Sequence, residues 1–169
     1  NREHEWNNLF RSLAEPRHKQ IVEYLGGLPI ELLASEEVAR TPEQIDAQVD
    51  RLKTGHAAVL IAHLPCWTAP NLVVRGVQRV NRPTILVCNR HPGTHSTVAL
   101  LGAGGALDQI GYPHLRVRES FDSPVLGEKV LPFIRAASAV ARLRGQVFGL
   151  FGGRSLGIDT GTIDPMQWR

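Results

Sequence analysis

The sequence predicts an α/β protein in which a parallel sheet carries helices on both faces. Three observations lead there. Continuously apolar runs over residues 57–64 and Thr84–Cys88 have the character of strands buried on both sides. Segments with helical spacing of apolar residues separate those runs, and such alternation favours parallel crossover connections. With 169 residues, the chain is long enough for one domain with a substantial core.

Each element has its own signal. Trp6, Leu9, Phe10, Leu13, Ile21, Val22 and Leu25 form a helical apolar stripe over residues 5–25. Pro16 interrupts it and predicts a kink or two helices meeting there. Gly26-Gly27 supplies the stop, and residues 28–33 read as a short strand. Thr41-Pro42-Glu43-Gln44 is a helix start, with Thr41 as N-cap, Pro42 in the first turn and Gln44 completing a capping box. Ile45, Val49 and Leu52 give that helix its buried face, and Gly55 ends it. After the strand at 57–64, residues 71–80 read as helix. Thr84–Cys88 is followed by a helix over 96–110, in spite of Gly102, Gly104 and Gly105. His114–Arg118 alternates in character and reads as a shorter strand. An alanine-rich helix over 125–143 contains Pro132, near its start or at a bend. Residues 146–151 read as the last strand. The arrangement is Rossmann/flavodoxin-like, and because the chain opens on a helix, a first strand is expected to precede Asn1. Residues 1–153 are expected to form this domain and 154–169 to begin a crossover into a following one.

Composition narrows the function classes. The net charge is only +3, and the three lysines, Lys19, Lys53 and Lys129, form no basic run, which argues against nucleic acid as a partner. Two cysteines, Cys66 and Cys88, are too few for a disulfide framework or a zinc cluster and suit a reducing compartment. No apolar run has membrane-spanning length and no signal-peptide pattern opens the chain, so a cytoplasmic location is expected.

Open parallel sheets bind ligands beyond the carboxyl ends of their strands, so the residues following each strand are the site candidates. Pro65-Cys66-Trp67 offers an indole as a flat wall for a sugar's C–H face, or as packing for the next helix. Cys66 has no base at a telling spacing and reads as a buried thiol. Asn89-Arg90-His91-Pro92-Gly93-Thr94-His95-Ser96 is the densest polar cluster. His91 and His95 are four apart, but Pro92-Gly93 between them argues against a metal pair on one helix. Thr94 or Ser96 is a candidate N-cap for the helix that follows. Glu119 and Asp122 read as a solvated loop rather than an acid–base pair. Gly152-Gly153-Arg154-Ser155-Leu156-Gly157 allows close backbone approach to a ligand, with Arg154 to bind oxygen atoms, or serves as a glycine-permitted crossover. It lacks the spacing and the lysine of a phosphate-binding loop. These residues alone name no reaction.

Two stretches carry a resemblance. Glu128-Lys129-Val130-Leu131 through Ala136–Ala141, Gly145, then Phe151-Gly152-Gly153-Arg154-Ser155-Leu156-Gly157-Ile158 and Asp164 resemble the end of the first domain of L-fucose isomerases. Leu64-Pro65-Cys66-Trp67 is similar to that family's Thr-Pro-Cys-Trp strand end, and Arg82-Pro83 and the 93–107 helix fall in register between them. The resemblance, to the L-fucose/L-arabinose isomerase-like family, covers most of residues 57–164. It implies an N-terminal domain of an enzyme that interconverts aldoses and ketoses through an enediol, with a divalent ion, usually Mn2+, polarising the sugar oxygens. By that resemblance the metal ligands and proton-shuttling carboxylates belong to later domains, leaving no catalytic or metal residue here and an inactive chain by itself. The first domain then lines the substrate pocket across a subunit boundary. The implied partners are a monosaccharide and further copies in a trimer or hexamer, or a separate catalytic chain. Trp67, Asn89, His91, Arg154 and Ser155 are the expected substrate-binding residues. Arg154 stands where the family has a hydrophobic residue, which leaves the sugar open. The competing readings are a non-catalytic flavodoxin-like sugar-binding or sensor module, and a domain that only packs between subunits.

Overall fold

A computed structural model describes residues 2–147 and 149; the side chains of residues 2–11 lie outside that description. The elements run in the order α1 (Arg2–Gly26), α2 (Pro42–Thr54), β1 (Leu60–Leu64), α3 (Pro70–Val80), β2 (Thr84–Cys88), α4 (Ser96–Gln109), β3 (His114–Arg118) and α5 (Pro124–Leu143), with a single 3-10 turn at Pro92–Thr94. The strands form one parallel sheet in the order β1-β2-β3, with Leu60, Thr84 and His114 in register at its start. This is an open, Rossmann-like α/β sheet. None of the described helices is long and apolar enough to cross a membrane.

Strand alternation builds two cores. Leu86 and Cys88 of β2 face Leu64, then Val73 and Val77 of α3 and Ala99, Leu100, Ala103 and Leu107 of α4. Ile85 and Val87 face the other way, onto Ile21 and Leu25 of α1, Leu126 and Val130 of α5, and Val117 and Phe121. All five residues of β2 are buried, as a central strand covered by helices on both sides requires. α2 lies outside α3, where Asp46 holds Arg75 at 2.5 Å and Arg79 at 2.6 Å. Its hydrogen bonds with Arg75 hold the Asp46 carboxyl down at about 2.

The capping box at α2 forms as the sequence predicts: the Gln44 amide donates to Thr41 Oγ1 at 3.3 Å, while Gln44 Oε1 accepts from the Thr41 amide at 3.2 Å. Thr41→Ala should therefore lower unfolding free energy by about 1 kcal/mol, read from urea denaturation followed by circular dichroism.

Three local expectations change. Of the two readings at Pro16, two meeting helices are not what forms; α1 is one helix with Pro16 inside it, and Arg17 Nη1 donates to the Leu13 carbonyl at 2.8 Å beside it. Residues 28–33 are not a strand. Their burial alternates, with Leu28 and Leu32 packed beside α1 and α5, but the chain bends at residues 28–30 and the backbone bonds stay local. Leu28 N donates to Leu25 O, Ile30 N to Leu28 O, and Pro29 has no amide to give a ladder. Gln146 and Val147 carry no strand, and Val147 is exposed; the remainder of the strand expected to 151 lies outside the described residues, Gly149 excepted, as does the boundary expected at 153/154. Pro132 lies inside α5.

Candidate functional site at the carboxyl edge of the sheet

Because the three strands are parallel, the segments after Leu64, Cys88 and Arg118 all open on one edge. Buried polar side chains join them there. Asn89 is 5% exposed, and its side-chain amide is bonded on both its donor and its acceptor side. Its Nδ2 donates to the Pro65 carbonyl at 2.9 Å, and its Oδ1 accepts from the His91 amide at 2.9 Å. Thr94 Oγ1 lies 3.0 Å from the same Oδ1 and 2.8 Å from the His91 carbonyl. Ser96 Oγ donates to the Asn89 carbonyl at 3.0 Å. The Trp67 amide donates to the Thr94 carbonyl at 2.8 Å.

This bonding places the expected site residues unequally. Trp67 keeps a half-exposed indole, 51% accessible, on a backbone held from the neighbouring loop. His91 is exposed, and its Nδ1 accepts from the Gly93 amide at 3.2 Å. Asn89 comes to the same edge but turns its amide inward to the two loops. Arg154 and Ser155 lie outside the described residues.

The N-cap of α4 is neither Thr94 nor Ser96. It is His95, in a left-handed conformation at φ 52° and without a side-chain cap bond. Both hydroxyls are used inside the Asn89 network instead. Burial pushes the Cys66 thiol up, which disfavours the thiolate a nucleophile needs.

The third loop departs most from expectation. Asp122 is exposed, but Glu119 is not a solvated loop residue; it is 4% exposed. Its carboxylate accepts from Lys129 Nζ at 2.8 Å and from Arg90 Nε at 2.9 Å, and Ser120 N donates to Oε1 at 3.2 Å. The hydrogen bond from Lys129, then that from Ser120 N and the Arg90 charge, hold its pKa below the usual carboxylate range, so Glu119 is an anchor for two loops and a helix rather than a proton donor. Sequence reasoning missed this because Arg90, Glu119 and Lys129 meet only once the parallel strands are aligned. Strand ends followed by isolated opposite charges were the available signal.

Among the described residues, no group of three or more His, Cys, Asp or Glu side chains is placed to hold a metal ion. Manganese therefore does not fit the described residues of this edge.

The chain matches the family described as L-fucose isomerase, first N-terminal domain, over residues 2–145. It belongs to that family. No curated protein matches it. The match runs from α1 through α5, so the L-fucose isomerase domain contains all three strand mouths described above, including Trp67 and the Asn89 network. Membership identifies the chain as an N-terminal domain of the sugar-isomerase type.

Proposed function

We propose that the carboxyl edge of this sheet forms part of the sugar pocket of an aldose–ketose isomerase acting on L-fucose, arabinose or a related sugar. Trp67 supports the reading: an indole half open to solvent, on a backbone held from the neighbouring loop, is a rigid apolar wall for a sugar's C–H face. His91 adds an exposed imidazole on the adjacent loop, and Arg154 and Ser155 are further sequence-based candidates. The chain's part is substrate positioning and packing between subunits of a cytoplasmic homo-oligomer. Manganese and the proton-moving carboxylates come from other segments of the enzyme, as the family resemblance implies.

In the complete enzyme, Trp67→Ala should raise the L-fucose KM about tenfold, with manganese content unchanged. Steady-state kinetics across a panel of aldoses, with metal analysis of the same samples, checks this. Unchanged KM and kcat would take Trp67 out of the pocket and remove the support for the reading.

A further inference from the structure

The geometry points to Asn89 as a positioning residue that sets the Trp67 wall without touching the sugar, an inference that rests on the sugar-pocket reading above. Its carboxamide is buried and divides its work between two loops. The donor side, Nδ2, holds the loop after β1 through the Pro65 carbonyl at 2.9 Å. The acceptor side, Oδ1, holds the loop after β2 through the His91 amide at 2.9 Å and the Thr94 hydroxyl at 3.0 Å. A return bond closes the circuit, from the Trp67 amide to the Thr94 carbonyl at 2.8 Å. Pro65-Cys66-Trp67 is thus tied on both sides of Cys66, itself buried at 7% exposure, while the indole beyond it stays open.

The arrangement explains why a large apolar side chain stands at the rim on a fixed backbone. Ordering a loop at the moment of binding costs affinity, and a wall held in advance avoids that cost. Asn is the residue type suited to the task, because it presents a donor and an acceptor on one short planar group. Asp has the same shape and keeps the acceptor toward His91 and Thr94. It replaces the donor facing Pro65 with an oxygen, so two acceptors oppose each other. Asn89→Asp therefore releases the Trp67 loop selectively and leaves the His91 loop held.

The test combines amide hydrogen exchange with kinetics on the complete enzyme. In the wild type, the Trp67 amide should exchange slowly, as a bonded amide does. In Asn89→Asp, its exchange should accelerate at least about tenfold while β2 amides keep their protection, and the L-fucose KM should rise about fivefold with kcat unchanged. A purely structural role would instead loosen β2 as well and lower the amount of active enzyme without moving KM. Slow Trp67 exchange retained in a folded Asn89→Asp variant would overturn the inference. Fast Trp67 exchange in the wild type would overturn it too, a measurement that stands even if the variant fails to fold. A loosened Trp67 loop with an unchanged KM would keep the clamp and sink the sugar-pocket reading of Trp67, so the two ideas fail separately.

Discussion

Replacing Leu86 by alanine should lower the unfolding free energy of the chain by about 2–5 kcal/mol. Leu86 is fully buried at the middle of the central strand. It packs toward Leu64, Val73, Val77, Leu100 and Leu107, with Ala99 and Ala103 of α4 on the same side. Those alanines allow α4 to approach the sheet closely, and they have no side-chain length with which to fill a cavity left behind. The loss is therefore expected in the upper part of that range. Leu101→Ala on the same helix is the control, because Leu101 is 59% exposed and faces away from this layer. It should cost less than about 1 kcal/mol. Urea denaturation monitored by circular dichroism measures both. Equal losses for the two variants would mean that the α3–α4 layer is not packed on β2 as described.

The second large effect is a loss of stability in mild acid through His63. This residue stands within β1, just before its last residue Leu64, on the face toward α1. Its ring stacks on His18 with centroids 5.8 Å apart and meets the edge of Phe121 at 5.2 Å. The residue as a whole keeps some accessible surface, yet both ring nitrogens are closed off and neither has a hydrogen-bond partner among the described residues. Burial, with the neighbouring His18 charge second, pushes its pKa from 6.5 down to about 3. The unfolded chain therefore takes up the proton first as pH falls. The neutral ring's contribution is complete above about pH 6.5 and is lost progressively toward pH 3. Within that window the slope approaches one proton, or about 1.4 kcal/mol per pH unit.

Asp46 and Glu119 add acid sensitivity at lower pH. Their folded pKa values are also lowered, from ordinary values of 3.8 and 4.5, so their contributions are held above those values and lost below them. The interval from pH 6.5 to 4.5 thus isolates the histidine from these two carboxylates. His63→Leu, similar in size and without a titrating group, should flatten the stability profile there. Urea midpoints at pH 7 and pH 5 for both proteins read the effect. Parallel losses in wild type and His63→Leu would show that the buried imidazole is not the acid-sensitive group.

Much of the fold was legible in the chain because its determinants are local. Thr84–Cys88 is apolar or small at every position, so a strand buried on both faces was readable from composition; the same reading of residues 57–64 met a strand at Leu60–Leu64 on the sheet edge, with only Leu64 buried. The α2 start was readable residue by residue, since a capping box spans only four positions. Residues 28–33 show where such reading stops. Burial alternates there, but the chain bends at residues 28–30, and a strand needs a ladder partner, whose presence alongside is a property of the whole fold. Pro16 is similar: its local cost was plain, while α1 runs through it as one helix whose Ile21 and Leu25 pack on Ile85 and Val87 of the sheet.

The candidate site divides along the same line. The sequence by itself determined that an indole follows one strand and a dense polar cluster the next, and the family resemblance resting on Pro65-Cys66-Trp67 together with the Gly152–Ile158 motif agrees with the match over residues 2–145. Only the tertiary structure decided which polar groups face outward. Asn89 reads like a ligand-binding residue in one dimension and Thr94 or Ser96 like a helix cap, yet burial obliges each to find a partner within the protein. Glu119 read like a solvated carboxylate, and the parallel register brought Arg90 and Lys129 to it from positions 29 residues before and 10 residues after. Spacing along a chain fixes helical and strand faces because those periods are short. The pairing of loops at the mouth of a sheet depends on which strands lie side by side, and that is set by burial of the two apolar faces together rather than by any one segment.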